Sequence, residues 1–168
     1  MEISPNLKTH YPMPGCLFIA TGKQFDADAF LSQSEWRDIT KTFHRGESTG
    51  RRSLALENSG FTLNVSDSDE HELEPQVCDA LEFLNQEIDE IKRLTTFPGM
   101  EHMELRIGLF WCRDTLFQFH SLPAAFLRSA GELGIAVTLC IYGTSLDEAE
   151  ESTVAKPSAA THAGPAAR

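Results

Sequence analysis

Between Thr42 and Arg52 the chain reads TFHRGESTGRR, which places His44, Arg45, Glu47, Arg51 and Arg52 around two glycines. Guanidinium groups beside glycine-freed backbone N–H groups form the donor set that holds a phosphate or a carboxylate. A nucleotide cradle also needs a helix directly after its glycine turn. Here a strand-like segment, SLAL at 53–56, follows instead. The stretch is therefore no P-loop, and it stands as a candidate loop for an anion or small molecule. A second reading has the same arginines pairing with the chain's own acidic helix.

That helix supplies the other charged constellation. Leu73, Val77, Leu81, Leu84, Ile88 and Ile91 recur at spacings of 4, 4, 3, 4 and 3, which puts them on one helical face. Asp79, Glu82, Gln86, Asp89 and Glu90 fall on the opposite face. An exposed acidic face raises the encounter rate with a basic protein, so these five residues are the candidate partner-binding surface.

Other reactive residue types are scattered. Cys16, Cys78, Cys112 and Cys140 lie too far apart for zinc-ligand spacing. Each falls in an apolar run and is expected as a buried thiol. Cys112, beside Arg113, is the best placed to react, whereas the acidic setting of Cys78 disfavours a thiolate. His102 with Glu104, and His71 between Glu70 and Glu72, have no second histidine nearby, so both read as solvated surface. The acidic run at 67–74 lacks the glycine and ligand alternation of a calcium loop. No nucleophile elbow occurs. No catalytic residue, metal site or cofactor is assigned, and the chain is read as a non-catalytic binding protein.

Charge narrows the partners. There are 25 Asp and Glu against 14 Lys and Arg, a formal charge of −11. Nucleic acid needs the opposite sign, and so does an anionic membrane surface. The first residues lack the basic and apolar regions of a signal peptide, and no apolar run approaches a membrane span. A cytoplasmic location is expected.

The elements that must position these residues follow from pattern. Residues 1–14 hold three prolines and read as an extended lead-in. CLFIA at 16–20 is a strand, and Asp26 caps a short helix that ends near Ser34 or Trp36. SLAL and FTLNV (61–65) form a hairpin through Asn58-Ser59-Gly60. The long helix runs from about Glu74 to Leu94. MELRIGLFW (103–111) is a strand, and LFQF (116–119) returns as its antiparallel partner. Ser121 and Pro123 open a third helix that Gly134 stops. IAVTLCIY (135–142), apolar on both faces, reads as a central strand. From 144 to 168 the chain is too poor in large aliphatics to order itself.

The expected architecture is a single α+β domain over 15–143. It has one mostly antiparallel sheet with three helices packed on it, in the order β-α-β-β-α-β-β-α-β. A shared Ala-Phe-Leu at 29–31 and 125–127, each after a strand, is compatible with a tandem β-α-β duplication.

CLFIATGKQFDADAFL, the Phe-His-Arg-Gly-Glu segment, SGFTLNV, and a helix ending ELGI before IAVTLCIYG together carry a resemblance. Over residues 15–143 the chain resembles the bacterial domain-of-unknown-function family 4279. It departs from that pattern at Phe61, where tryptophan is common, and in its tail. The resemblance implies no activity. It implies a protective or regulatory binding role in bacteria, such as immunity to a toxin. A homo-oligomer paired through Trp36, Phe110, Trp111 and Phe119 is the remaining structural reading.

Overall fold

The computed structural model describes residues 15–48, 55–68, 72–110 and 116–142. The proline-rich lead-in, Arg51, Arg52, His71, Trp111, Cys112, Arg113 and the tail lie outside the described residues.

The fold is α+β. A five-stranded sheet holds β1 (Cys16–Gly22), β2 (Ile39–Phe43), β3 (Ser59–Ser66), β4 (His102–Phe110) and β5 (Ala136–Tyr142) in the order β2-β3-β1-β4-β5. Three of its four pairings are antiparallel and β4 with β5 is parallel. The helices are α1 (Ala27–Leu31), α2 (Leu73–Gln86), α3 (Ile88–Thr95) and α4 (Ala124–Glu132).

Period-2 patterning sets the face on which the helices lie. Phe18 pairs with Leu63 on one side and Leu105 on the other, and Ala20 pairs with Phe61 and Met103. All six are buried, in one cluster with Phe30, Val77, Leu84, Ile91, Leu94 and Phe126 from the four helices. Aromatic rings fill the end of the core under α1. Phe30 stacks on Phe61 at 5.9 Å, and Trp36 meets Phe18, Phe30 and Phe61 within 6 Å. Such pairs stabilise beyond their buried area.

Local signals explain the element ends. The Asp26 carboxylate accepts from the Ala29 N–H at 2.9 Å, as expected for a cap. Gly134, at φ 69°, ends α4. Gly99, at φ 79°, turns the chain after α3, and a Cβ there would lie 2.3 Å from the Gln24 carbonyl oxygen.

Several expectations are corrected. The long helix is two helices broken at Glu87, whose φ of −99° and ψ of 16° leave the α region. Its buried face is also rotated. Gln76, Val77, Ala80, Leu84, Ile91 and Leu94 are buried, while Leu73 and Leu81 are half-buried and Ile88 is exposed. The small Ala80 and the hydrogen-bonded Gln76, which donates to the Gly108 carbonyl, sit where α2 meets the sheet.

The hairpin partner of β3 is β2, not SLAL, because Ile39 to Phe43 pair along Leu63 to Gly60. The first helix ends at Leu31, and Ser121 does not cap α4, whose N-cap is Pro123. LFQF forms no strand. Leu116 and Phe119 stand in solvent, and the chain instead crosses through α4 to lay β5 parallel to β4. β5 is consequently an edge strand, not a central one. Finally, Cys78 is exposed and Cys140 half-buried, and only Cys16 of the three described cysteines is buried.

Candidate functional site

The described part of the arginine stretch, residues 42–48, runs from the end of β2 into the connection to β3, and residues 49–52 lie outside the described residues. Its first turn is closed from within. The His44 N–H donates to the Glu47 carboxylate at 2.9 Å, and Arg45 N–H to Ser59 Oγ at 3.0 Å. Gly46 N–H donates to Leu56 O, and Glu47 N–H to His44 O. Four consecutive backbone donors are thus used inside the hairpin, so none of them points out as an anion nest. Glu47 acts as a cap of its own turn. His44 Nε2 lies 3.6 Å from Asp28 of α1, so the hairpin leans toward α1. Among the described residues Arg45 makes no ion pair with the acidic helix.

The acidic face of the long helix is divided by the break at Glu87. On α3, Asp89 is exposed and Glu90 is bound to Arg93 by two hydrogen bonds of 2.6 and 2.7 Å. The Arg93 hydrogen bond holds the Glu90 carboxyl below its usual range. The same guanidinium covers the Phe30 ring at 4.0 Å, a cation–π contact that closes the aromatic core. Glu90 thus belongs to the wall of the fold, while Asp89 stands in solvent.

On α2 the remaining three, Asp79, Glu82 and Gln86, line one cleft of about 420 Å³ between α2, β3 and the segment 35–38. Glu35, Asp38 and Glu87 join them, so five carboxylates surround the opening and Arg37 is the one cationic side chain among its lining residues. The floor is apolar, made by Trp36, Leu63, Val65 and Phe83. A hollow of about 540 Å³ lined by Arg37, Asp38, Asn64 and Asp67 among others adjoins it.

Each wall has a local cause. Glu87 sits at the helix break, where its carboxylate turns back to accept from Trp36 Nε1 at 2.7 Å. That bond fixes the indole edge at the cleft while its ring packs on Phe83 at 6.1 Å. Asp79 accepts from Ser66 Oγ and Ser68 Oγ, which ties α2 to the end of β3. Glu82 accepts from Gln86 one turn on, at 2.7 Å.

Sequence spacing located Asp79, Glu82 and Gln86 but missed Glu35, Trp36, Asp38 and Glu87. The short run Glu35-Trp36-Arg37-Asp38 carried a signal, two acids flanking an aromatic after a helix end. Glu87 was passed over although it follows Phe83 by four residues and so shares its helical face.

Two further polar features lie outside the cleft. Glu104, on the sheet face away from the helices, binds Arg106 at 3.0 and 3.1 Å and lies 3.8 Å from His102 Nε2. Burial raises its carboxyl pKa, but hydrogen bonds from Arg106 and Thr138 outweigh this and hold it low. Cys16 is pushed up to about 12 by burial and by the charge of Asp79, so its thiol is inert. Among the described residues no three His, Cys, Asp or Glu are grouped to hold a metal ion. No described helix is long and apolar enough to cross a membrane.

Comparison with known proteins finds no matching family model, no matching curated protein and no matching solved structure.

Proposed function

We propose that this protein is a non-catalytic binding protein whose α2 cleft takes a lysine or arginine side chain of a basic partner protein. The observation that carries the reading is the composition of the cleft: five carboxylates at the rim over a floor of Trp36, Phe83, Leu63 and Val65. A long cationic side chain has the matching division, an alkyl stem with a charged head. Its stem packs on the apolar floor, and its head meets the carboxylates. The volume, about 420 Å³, suits a side chain or small cation better than a folded segment. The acidic charge of the whole chain steers such a partner toward it.

A regulatory or immunity role in bacteria, as the family resemblance implies, is the biological setting that accords with this reading. The alternative use of His44, Arg45 and Glu47 as a ligand loop has less support, since the backbone donors of that turn are occupied.

The test is capture from a lysate of the source cells at low and moderate salt, followed by association kinetics on the captured protein. A basic partner whose on-rate falls at least tenfold with Glu82→Lys and Glu35→Lys, and falls with salt, supports the proposal. A partner that binds both variants at the wild-type rate removes the cleft from the interface.

A further inference from the structure

On the opposite side of α2 the surface changes character. Leu116, Phe117 and Phe119 are 95%, 64% and 87% exposed. The two phenylalanine rings touch, with centroids 5.2 Å apart. Beside them is a hollow of about 390 Å³ lined by Leu73, Val77, Cys78, Phe119 and Pro123, with Glu74 as its one acidic residue. Leu127, one turn beyond Pro123 on α4, is also exposed.

Three arguments indicate what covers this surface. The first is area. The two phenylalanines alone leave roughly 300 Å² of ring in water, which already equals the largest apolar patch of many monomers. The second is charge. The segment 116–131 contains no Asp or Glu, one Arg and one His, within a chain of charge −11. Two copies repel each other over acidic surface, and along this segment they do not. The third is shape. A protruding apolar group adjacent to an apolar hollow is self-complementary across a two-fold axis, because each copy offers what the other needs.

We propose that this surface is where two copies of the chain pair. Leu116 and Phe117 of each copy seat in the hollow formed by Leu73, Val77, Cys78 and Pro123 of the other. Doubling the patch and adding Leu116 and Leu127 brings the buried area toward roughly 1,200 Å², the lower edge of specific interfaces. The dimer is accordingly weak and concentration-dependent. It leaves most of each acidic cleft free, since Asp79 and Gln86 project from the other side of α2 than Leu73 and Val77, while Glu82 lies one turn from Cys78 at the border. Failure of either proposal therefore leaves the other standing.

Sedimentation of the full chain under reducing conditions, from micromolar to near-millimolar concentration, tests it. The expected result is a reversible monomer–dimer equilibrium that Phe117→Asp shifts entirely to monomer. Phe117 is exposed, so the variant folds. Cys78 supplies a second readout because its exposed thiol lines the hollow. Its alkylation, read by mass spectrometry against Cys140 as internal standard, should slow several-fold as wild type dimerises, and should stay fast in Phe117→Asp. A chain that remains monomeric throughout overturns the proposal. So does a dimer that Phe117→Asp leaves intact with Cys78 fully reactive.

Discussion

Residues of one chemical type take different roles here according to what they touch. Asp79 and Glu82 both border the cleft, yet Asp79 accepts two serine hydroxyls from the end of β3 while Glu82, among the described residues, accepts from its helix neighbour Gln86 alone. Asp79→Ala should therefore destabilise the fold by about 1–3 kcal/mol, the cost of leaving hydrogen-bonded groups without their charged acceptor. Glu82→Lys should change stability by less than about 0.5 kcal/mol while impairing partner binding. Urea unfolding of both variants distinguishes the two roles. Glu104 gives a pH signature. Its folded carboxyl lies below the usual range despite burial, because Arg106 and Thr138 bind the ionised form. A depressed folded value means that the unfolded chain takes up the proton first. The stabilisation is present above about pH 4.3 and is lost as pH falls through the lower folded value. Glu104→Gln should flatten the acid limb of a stability–pH curve, and an unchanged limb would show that Glu104 contributes nothing to it.

At the scale of elements, α2 walls the cleft up to Glu87, where the helix breaks and α3 begins. Glu87 follows Phe83 by four residues, so it meets Trp36 on the same helical face that packs Phe83 against the indole, and the helix breaks there. The sequence could not reveal this, since the apolar spacing from Leu73 to Ile91 is helical throughout and Glu87 is an ordinary helix former. What was legible were features with local causes: the Asp26 cap, the alternation of β3 and β4, and the stop at Gly134. What was illegible depended on distant pairing. The partner of β3 is β2, whose Ile39-Thr40-Lys41-Thr42-Phe43 has little apolar alternation, and β5 lies at an edge although it reads as a core strand. Register of that kind is decided by the assembled sheet and not by the strand alone. The turn after α3 is equally non-local. A side chain at Gly99 meets the Gln24 carbonyl and the backbone is left-handed there. Gly99→Ala should cost about 1–3 kcal/mol for the backbone alone, with the contact adding to it. Thermal unfolding would show a clear fall in Tm, and an unaltered Tm would mean that the turn relaxes freely.

Across the whole molecule, charge and apolar surface are segregated. The acidic cleft and the largely apolar hollow flank α2, so one helix separates a surface lined by five carboxylates from one lined mainly by apolar side chains. The proposed binding activity rests on the first. Its most direct test follows the Trp36 indole N–H by two-dimensional NMR, assigned with Trp36→Phe, during titration with an arginine-rich peptide and with its glutamate counterpart. The indole donates to Glu87 at the rim of the cleft. A saturable shift with the arginine peptide, weakened by salt and abolished by Glu82→Lys with Glu35→Lys, is the predicted result. An indole resonance that stays still, or moves equally in the charge-reversed variant, would contradict the cleft as the binding site.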